Sequence, residues 1–129
     1  MLSLPHGRLL LTIGWILIVA TIVGSLGPSL PQMGVRMSDK FLHFLGYFGL
    51  TLWFAGLYPR SRLWVIGLAF FCLGASLEVM QGTLTRNREM DVHDLMMNTL
   101  GIATAVAVAL LGLREWATRL EGWLTRRIE

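Results

Sequence analysis

The sequence predicts an all-α integral membrane protein: a bundle of four transmembrane helices followed by a short C-terminal interfacial helix. Two observations carry this. The 129 residues are 54% hydrophobic and only 15% charged, whereas soluble domains carry about 25% charged residues. The chain also holds four apolar stretches of 18 or 19 residues, 9–26, 41–58, 63–80 and 95–113, with very few ionisable groups. At about 1.5 Å per residue each spans roughly 27–29 Å, close to the thickness of a bilayer core. Buried helices of soluble proteins are usually shorter, so a soluble all-α fold ranks well behind. A single domain over residues 1–129 is the expectation at this length.

The elements follow in order. The first stretch exceeds the apolar core of about 7–15 residues in a signal peptide, and no small-x-small cleavage site follows it. It reads as an uncleaved first helix. The next segment, GPSLPQMGVRMSDK, contains Gly and Pro and reads as a loop, with Ser38 and Asp39 as the N-cap of the second helix. Tyr58-Pro59-Arg60-Ser61-Arg62 is a tight turn that sets the second and third helices antiparallel and adjacent. Residues 82–93 form the next loop. Asp91 or Asp94 falls in or near the first turn of the fourth helix, where a negative charge suits the helix dipole. In residues 114–129, Trp116, Ala117, Leu120, Trp123, Leu124 and Ile128 recur at helical spacing, with arginines on the other faces. That pattern predicts a helix on the membrane surface, with Trp116, Trp123 and Ile128 toward lipid. The glycines at 24, 27, 46, 49, 67, 74, 101 and 112 read as points of close helix packing.

A pI of 9.8 would suit a nucleic-acid binder, but no such motif is present. The positive-inside rule accounts for the charge. With a cytoplasmic N-terminus, Arg8, Arg60, Arg62, Arg114, Arg119, Arg126 and Arg127 lie inside, against Arg36, Lys40, Arg86 and Arg88 outside. Both termini are therefore expected in the cytoplasm. The single Cys72 excludes an intramolecular disulfide and reads as a packing residue.

The polar capacity of the chain is concentrated at one end of the bundle. Asp39, Lys40 and His43 open the second helix, Glu78 lies near the end of the third, and Asp94 opens the fourth. At about 100° per residue, Asp39, His43 and Tyr47 lie within roughly 80° of one another. Glu78 and Gln81 share a face, as do Asp91, Asp94 and Asn98. Turned toward lipid these groups would be costly; turned toward one another they build a polar pocket on the outer side.

The ordered pattern DKFLHFLGY, EVMQ and R-x-x-D-x-x-D-x-x-x-N-x-x-G, from Arg88 to Gly101, resembles the VanZ-like family of small bacterial membrane proteins. The resemblance covers about residues 39–105. Carried over, its positions are Asp39, Lys40, His43, Tyr47, Glu78, Gln81, Arg88, Asp94, Asn98 and Gly101. Asp91 departs from it, since a small hydroxyl residue is more usual there. The resemblance implies a cell-envelope protein of the bacterial inner membrane; its founding member is linked to resistance to the glycopeptide teicoplanin.

Four chemical readings of the pocket remain open. Arg88 and Lys40 can grip phosphate or carboxylate oxygens, with His43, Tyr47 and Asn98 bonding a sugar or peptide moiety. The partner would then be a membrane lipid or a lipid-linked envelope precursor. A hydrolase or transferase acting on a phosphorylated envelope lipid is the alternative, through His43, Glu78 and Asp94, but no nucleophile is marked, which ranks an enzyme lower. A metal held by these three has no H-E-x-x-H spacing or cysteine cluster behind it, so no metal and no cofactor is expected. In the fourth reading the charges only tie the helices together. A homo-oligomer is compatible with each.

Overall fold

The apolar stretches fold as helices because nothing inside them interrupts the backbone ladder, and the breaks fall where Gly, Pro or a capping side chain allows them. The structure, a computed structural model, describes residues 1–27, 39–85 and 89–128. The expected cap at Ser38, the site residue Arg88 and the side chain of Ile128 lie outside the described residues. The helices are α1 (Gly7–Leu26), α2 (Asp39–Leu57), α3 (Leu63–Leu84), α4 (Val92–Leu110) and α5 (Trp116–Ile128). Short 3-10 turns at Arg60–Arg62 and Leu113–Glu115 precede α3 and α5. No strand occurs among the described residues.

α1, α3 with its preceding turn, and α4 are long and apolar enough to cross a membrane. α2 is of similar length, 19 residues, but carries Lys40, His43, Tyr47 and Thr51. Its position explains the difference. α2 is the central helix, packing on α1, α3 and α4, with α4 its most extensive partner rather than α3. Tyr47, Leu50, Thr51, Phe54, Ala55, Gly56 and Leu57 are all buried along it. A helix surrounded by protein tolerates polar groups that a lipid-facing helix does not. The core joins Tyr47, Leu50 and Phe54 of α2 to Ile66 and Phe70 of α3 and Ile102 of α4, with Phe54 and Phe70 edge to face at 5.4 Å. Outward faces carry Trp15, Ile16, Val19, Val23, Leu68, Phe71 and Leu100, side chains at home in lipid.

Two glycines let helices approach closely, one against backbone and one against an aromatic side chain. A Cβ on Gly101 of α4 would collide with the Phe44 carbonyl oxygen and lie 3.0 Å from the Phe48 nitrogen of α2. Gly14 of α1 lies against Phe54. By contrast Gly24, Gly46 and Gly49 face open space, so they are not the packing points that the sequence suggests. Cys72 is likewise exposed rather than packed. α4 ends earlier than expected because Gly112 takes a left-handed conformation, φ 115°, which turns the chain into α5 and which only glycine adopts freely.

α5 corrects the expected orientation of the tail. Trp116 faces the bundle: its indole N–H donates to the Leu52 carbonyl of α2 at 3.0 Å, and its ring meets Trp53 at 4.7 Å and packs over Gly56. Ala117 and Glu121 are buried one helical turn apart. Trp123 is outward-facing as expected, at 51% exposure, with Arg127 over its ring. The N-terminal segment closes the same end, where the Leu2 N–H donates to the Leu57 carbonyl at the end of α2.

Candidate functional site

α2 and α4 begin, and α3 ends, at the same end of the bundle, so their terminal polar residues meet. The start of α4 is fixed by Asp91, whose side chain accepts the His93 N–H at 2.8 Å in an N-cap. This capping bond, with Lys40 beside it, holds the Asp91 carboxyl at about 2, below its ordinary 3.8. Lys40 Nζ lies 3.2 Å from Asp91 Oδ2 and 3.7 Å from Asp94 Oδ1, which ties the first turn of α2 to that of α4.

Deeper in, His43 is the hub. Its Nδ1 lies 2.9 Å from Asn98 Oδ1, and its Nε2 lies 3.4 Å from Asp94 Oδ2. Glu78 Oε1 stands 4.0 Å from His43 Nδ1, beyond hydrogen-bond reach. The other oxygen, Oε2, accepts the Asp91 backbone N–H at 3.3 Å. Glu78 and Asn98 are each only 2% exposed. One ligand atom from each of His43, Glu78 and Asp94 falls within 4.8 Å of the others. Gly74 makes room for this layer: a Cβ there would lie 3.1 Å from Asn98 Nδ2 and 3.3 Å from the Tyr47 ring.

The structure thus brings Lys40, His43, Glu78, Asp94 and Asn98 into one network, with buried Tyr47 beside it. Two predicted residues are elsewhere. Asp39 is exposed in the first turn of α2 and makes no ion pair among the described residues. Gln81 is buried but reaches away, donating to the Ser25 carbonyl of α1 at 2.7 Å. Arg88 lies outside the described residues. Asp91, on the pocket face but not among the positions expected to bind a ligand, is a further participant. Its signal was present, a capping residue directly before an apolar helix, but its second partner, Lys40, is far away in sequence.

Chemically, the arrangement offers a histidine between two carboxylates, with room for proton exchange or cation binding. It is acid-rich: Asp39, Glu78, Glu89, Asp91 and Asp94 outnumber Lys40, His43 and His93 among the described groups at this end. A surface hollow of about 560 Å³ lies at the opposite end, among Met1, His6, Arg8 and their neighbours, away from this chemistry.

No curated protein and no solved structure matches the chain. The family model described as VanZ/LLP1 matches residues 9–113, a stretch from the first turn of α1 to just past the end of α4, and it takes in the whole polar network. The chain belongs to the VanZ/LLP1 family.

Proposed function

We propose that the chain sits in the bacterial cytoplasmic membrane with both termini in the cytoplasm, and that its outer, polar end binds an anionic envelope component. The ligand is a lipid headgroup or a lipid-linked precursor, and its sequestration lowers susceptibility to teicoplanin-type glycopeptides. One observation carries this reading: His43, Glu78, Asp94 and Asn98 converge from three helices at one level beneath a half-exposed Lys40. Intramembrane groups of this kind are costly and usually mark a site. In the sequence Arg86 and Arg88 fall between α3 and α4, outside the described residues.

Native mass spectrometry of the detergent-purified protein tests the ligand. Wild type retains an anionic lipid or precursor, and Lys40→Gln retains less at unchanged stability. A stable wild type free of any lipid would overturn the reading. The position of His43 beside Asp94 favours a second reading, a hydrolase or transferase acting on a phosphorylated envelope lipid. Release of phosphate from such a lipid by wild type, abolished in His43→Gln, would establish it instead. For orientation, a cysteine at Asn87 in a Cys72→Ala background reacts with an impermeant thiol reagent on spheroplasts. Labelling at Ser61 instead reverses the topology.

A further inference from the structure

We propose that His43, Glu78 and Asp94 bind one divalent transition-metal ion, zinc or manganese, at the polar end of the bundle. The three residues each offer a ligand atom within 4.8 Å of the others. Ligands about 2.0–2.2 Å from a common metal are separated by roughly 3–4.4 Å, so small side-chain rotations close the shell. Nitrogen and carboxylate oxygen together suit zinc or manganese.

The hydrogen bonding of His43 points the same way. His43 Nδ1 lies 2.9 Å from Asn98 Oδ1; in the tautomer that donates this bond, Nε2 presents its lone pair to Asp94 Oδ2 at 3.4 Å. Two acceptors then face one another, and a cation between them turns the repulsion into coordination. A ligating histidine whose second N–H is held by an oxygen acceptor is the usual arrangement at metal sites. Glu78 adds to the argument. It is 2% exposed, and among the described residues no hydrogen bond reaches its Oε1. A buried carboxylate left short of partners is costly. A divalent ion balances the two charges of Glu78 and Asp94 together. No motif spacing announces the site because its ligands come from α2, α3 and α4.

Three protein ligands leave a coordination position open. On the headgroup reading above, a phosphate oxygen takes it, which explains how an acid-rich cluster accepts an anion. That last step alone rests on the functional reading.

The full-length protein in detergent, stripped with chelator, is loaded with zinc alone or manganese alone and measured by elemental analysis. Wild type takes up one equivalent of one of the two, and its cobalt(II) form absorbs in the visible. Affinity falls at least tenfold in His43→Gln and Asp94→Asn, and is unchanged in Glu121→Gln at the other end. Asn98→Ala keeps all three ligands and separates binding from folding: affinity falls about 10–100-fold while the protein remains helical. Substoichiometric metal in wild type, or full retention in both His43→Gln and Asp94→Asn, overturns the proposal. So does an imidazolium His43, seen by nitrogen NMR, that persists after metal addition, since the proton is then the cation. Metal without lipid removes the headgroup reading and leaves this inference standing; lipid without metal does the reverse.

Discussion

Each end of the bundle buries a glutamate, and the two are partnered differently. Glu121 of α5, 5% exposed, accepts the His6 backbone N–H at 2.8 Å on one oxygen and pairs with His6 Nδ1 at 2.8 Å on the other. Both oxygens are satisfied at short range, and the pair clamps α5 to the start of α1. Glu78, 2% exposed, has one long bond from the Asp91 backbone at 3.3 Å and a histidine at 4.0 Å. A saturated carboxylate holds structure together. An undersupplied one among other polar groups is a place for something else to bind. The tail end is also sealed by tryptophan: Trp116 on the Leu52 carbonyl and Trp53 on the Leu10 carbonyl. The polar end has no such seal among the described residues.

The largest expected effect sharpens the contrast through the helix contacts beneath each end. Gly101→Ala drives a methyl into the α2 backbone at Phe44, which cannot yield as a side chain does. Overpacking costs about 1–3 kcal/mol, so melting temperature drops clearly, and the polar network disperses with it because Asn98 lies one turn away. Gly56→Ala meets the Trp116 ring first; it displaces α5 and leaves the four-helix bundle and its polar end intact. Thermal unfolding of the two variants, with lipid retention measured alongside, checks this. Equal loss of retention in both would mean that the two ends are not independent.

The glutamates come next. Glu121→Gln lowers melting temperature because the His6 clamp loses its charge, and leaves metal and lipid retention unchanged. Glu78→Gln keeps the shape and leaves melting temperature near wild type, while retention falls. If both variants lose stability alike, Glu78 is a helix tie like Glu121 and the proposed site is only a structural network.

The smallest effect is on pH dependence. His6, chiefly through its ring hydrogen bond, depresses Glu121 below its ordinary 4.5. Its contribution is therefore complete above that value and is lost as pH falls through the lower folded one. Asp91, at about 2 against an ordinary 3.8, follows the same sign. The melting-temperature difference between wild type and Glu121→Gln should thus shrink on acidification below about 4.5. The difference between wild type and Asp91→Asn should decline as pH falls below about 3.8 and be gone near 2. Unfolding curves across pH 2–6 check both, and a difference that grows on acidification at either position would contradict the assigned partners.

Much of this was legible in the residues. Apolar runs of bilayer length dictate helices, because a backbone in lipid must satisfy its own hydrogen bonds. Helical spacing of Asp39, His43, Glu78, Asp94 and Asn98 placed the polar groups at one end, since their depth follows from counting residues along each helix. Only the tertiary structure decided which of them meet. Helix rotation and neighbour choice depend on contacts such as Gly101 against the Phe44 backbone, between residues distant in sequence. That rotation turned Gln81 toward α1, left Asp39 in the open, and gave Lys40 to Asp91. It also decided that Trp116 faces protein rather than lipid, because an amphipathic helix is equally served by a membrane surface or by the bundle. The left-handed turn at Gly112 delivers α5 to the bundle.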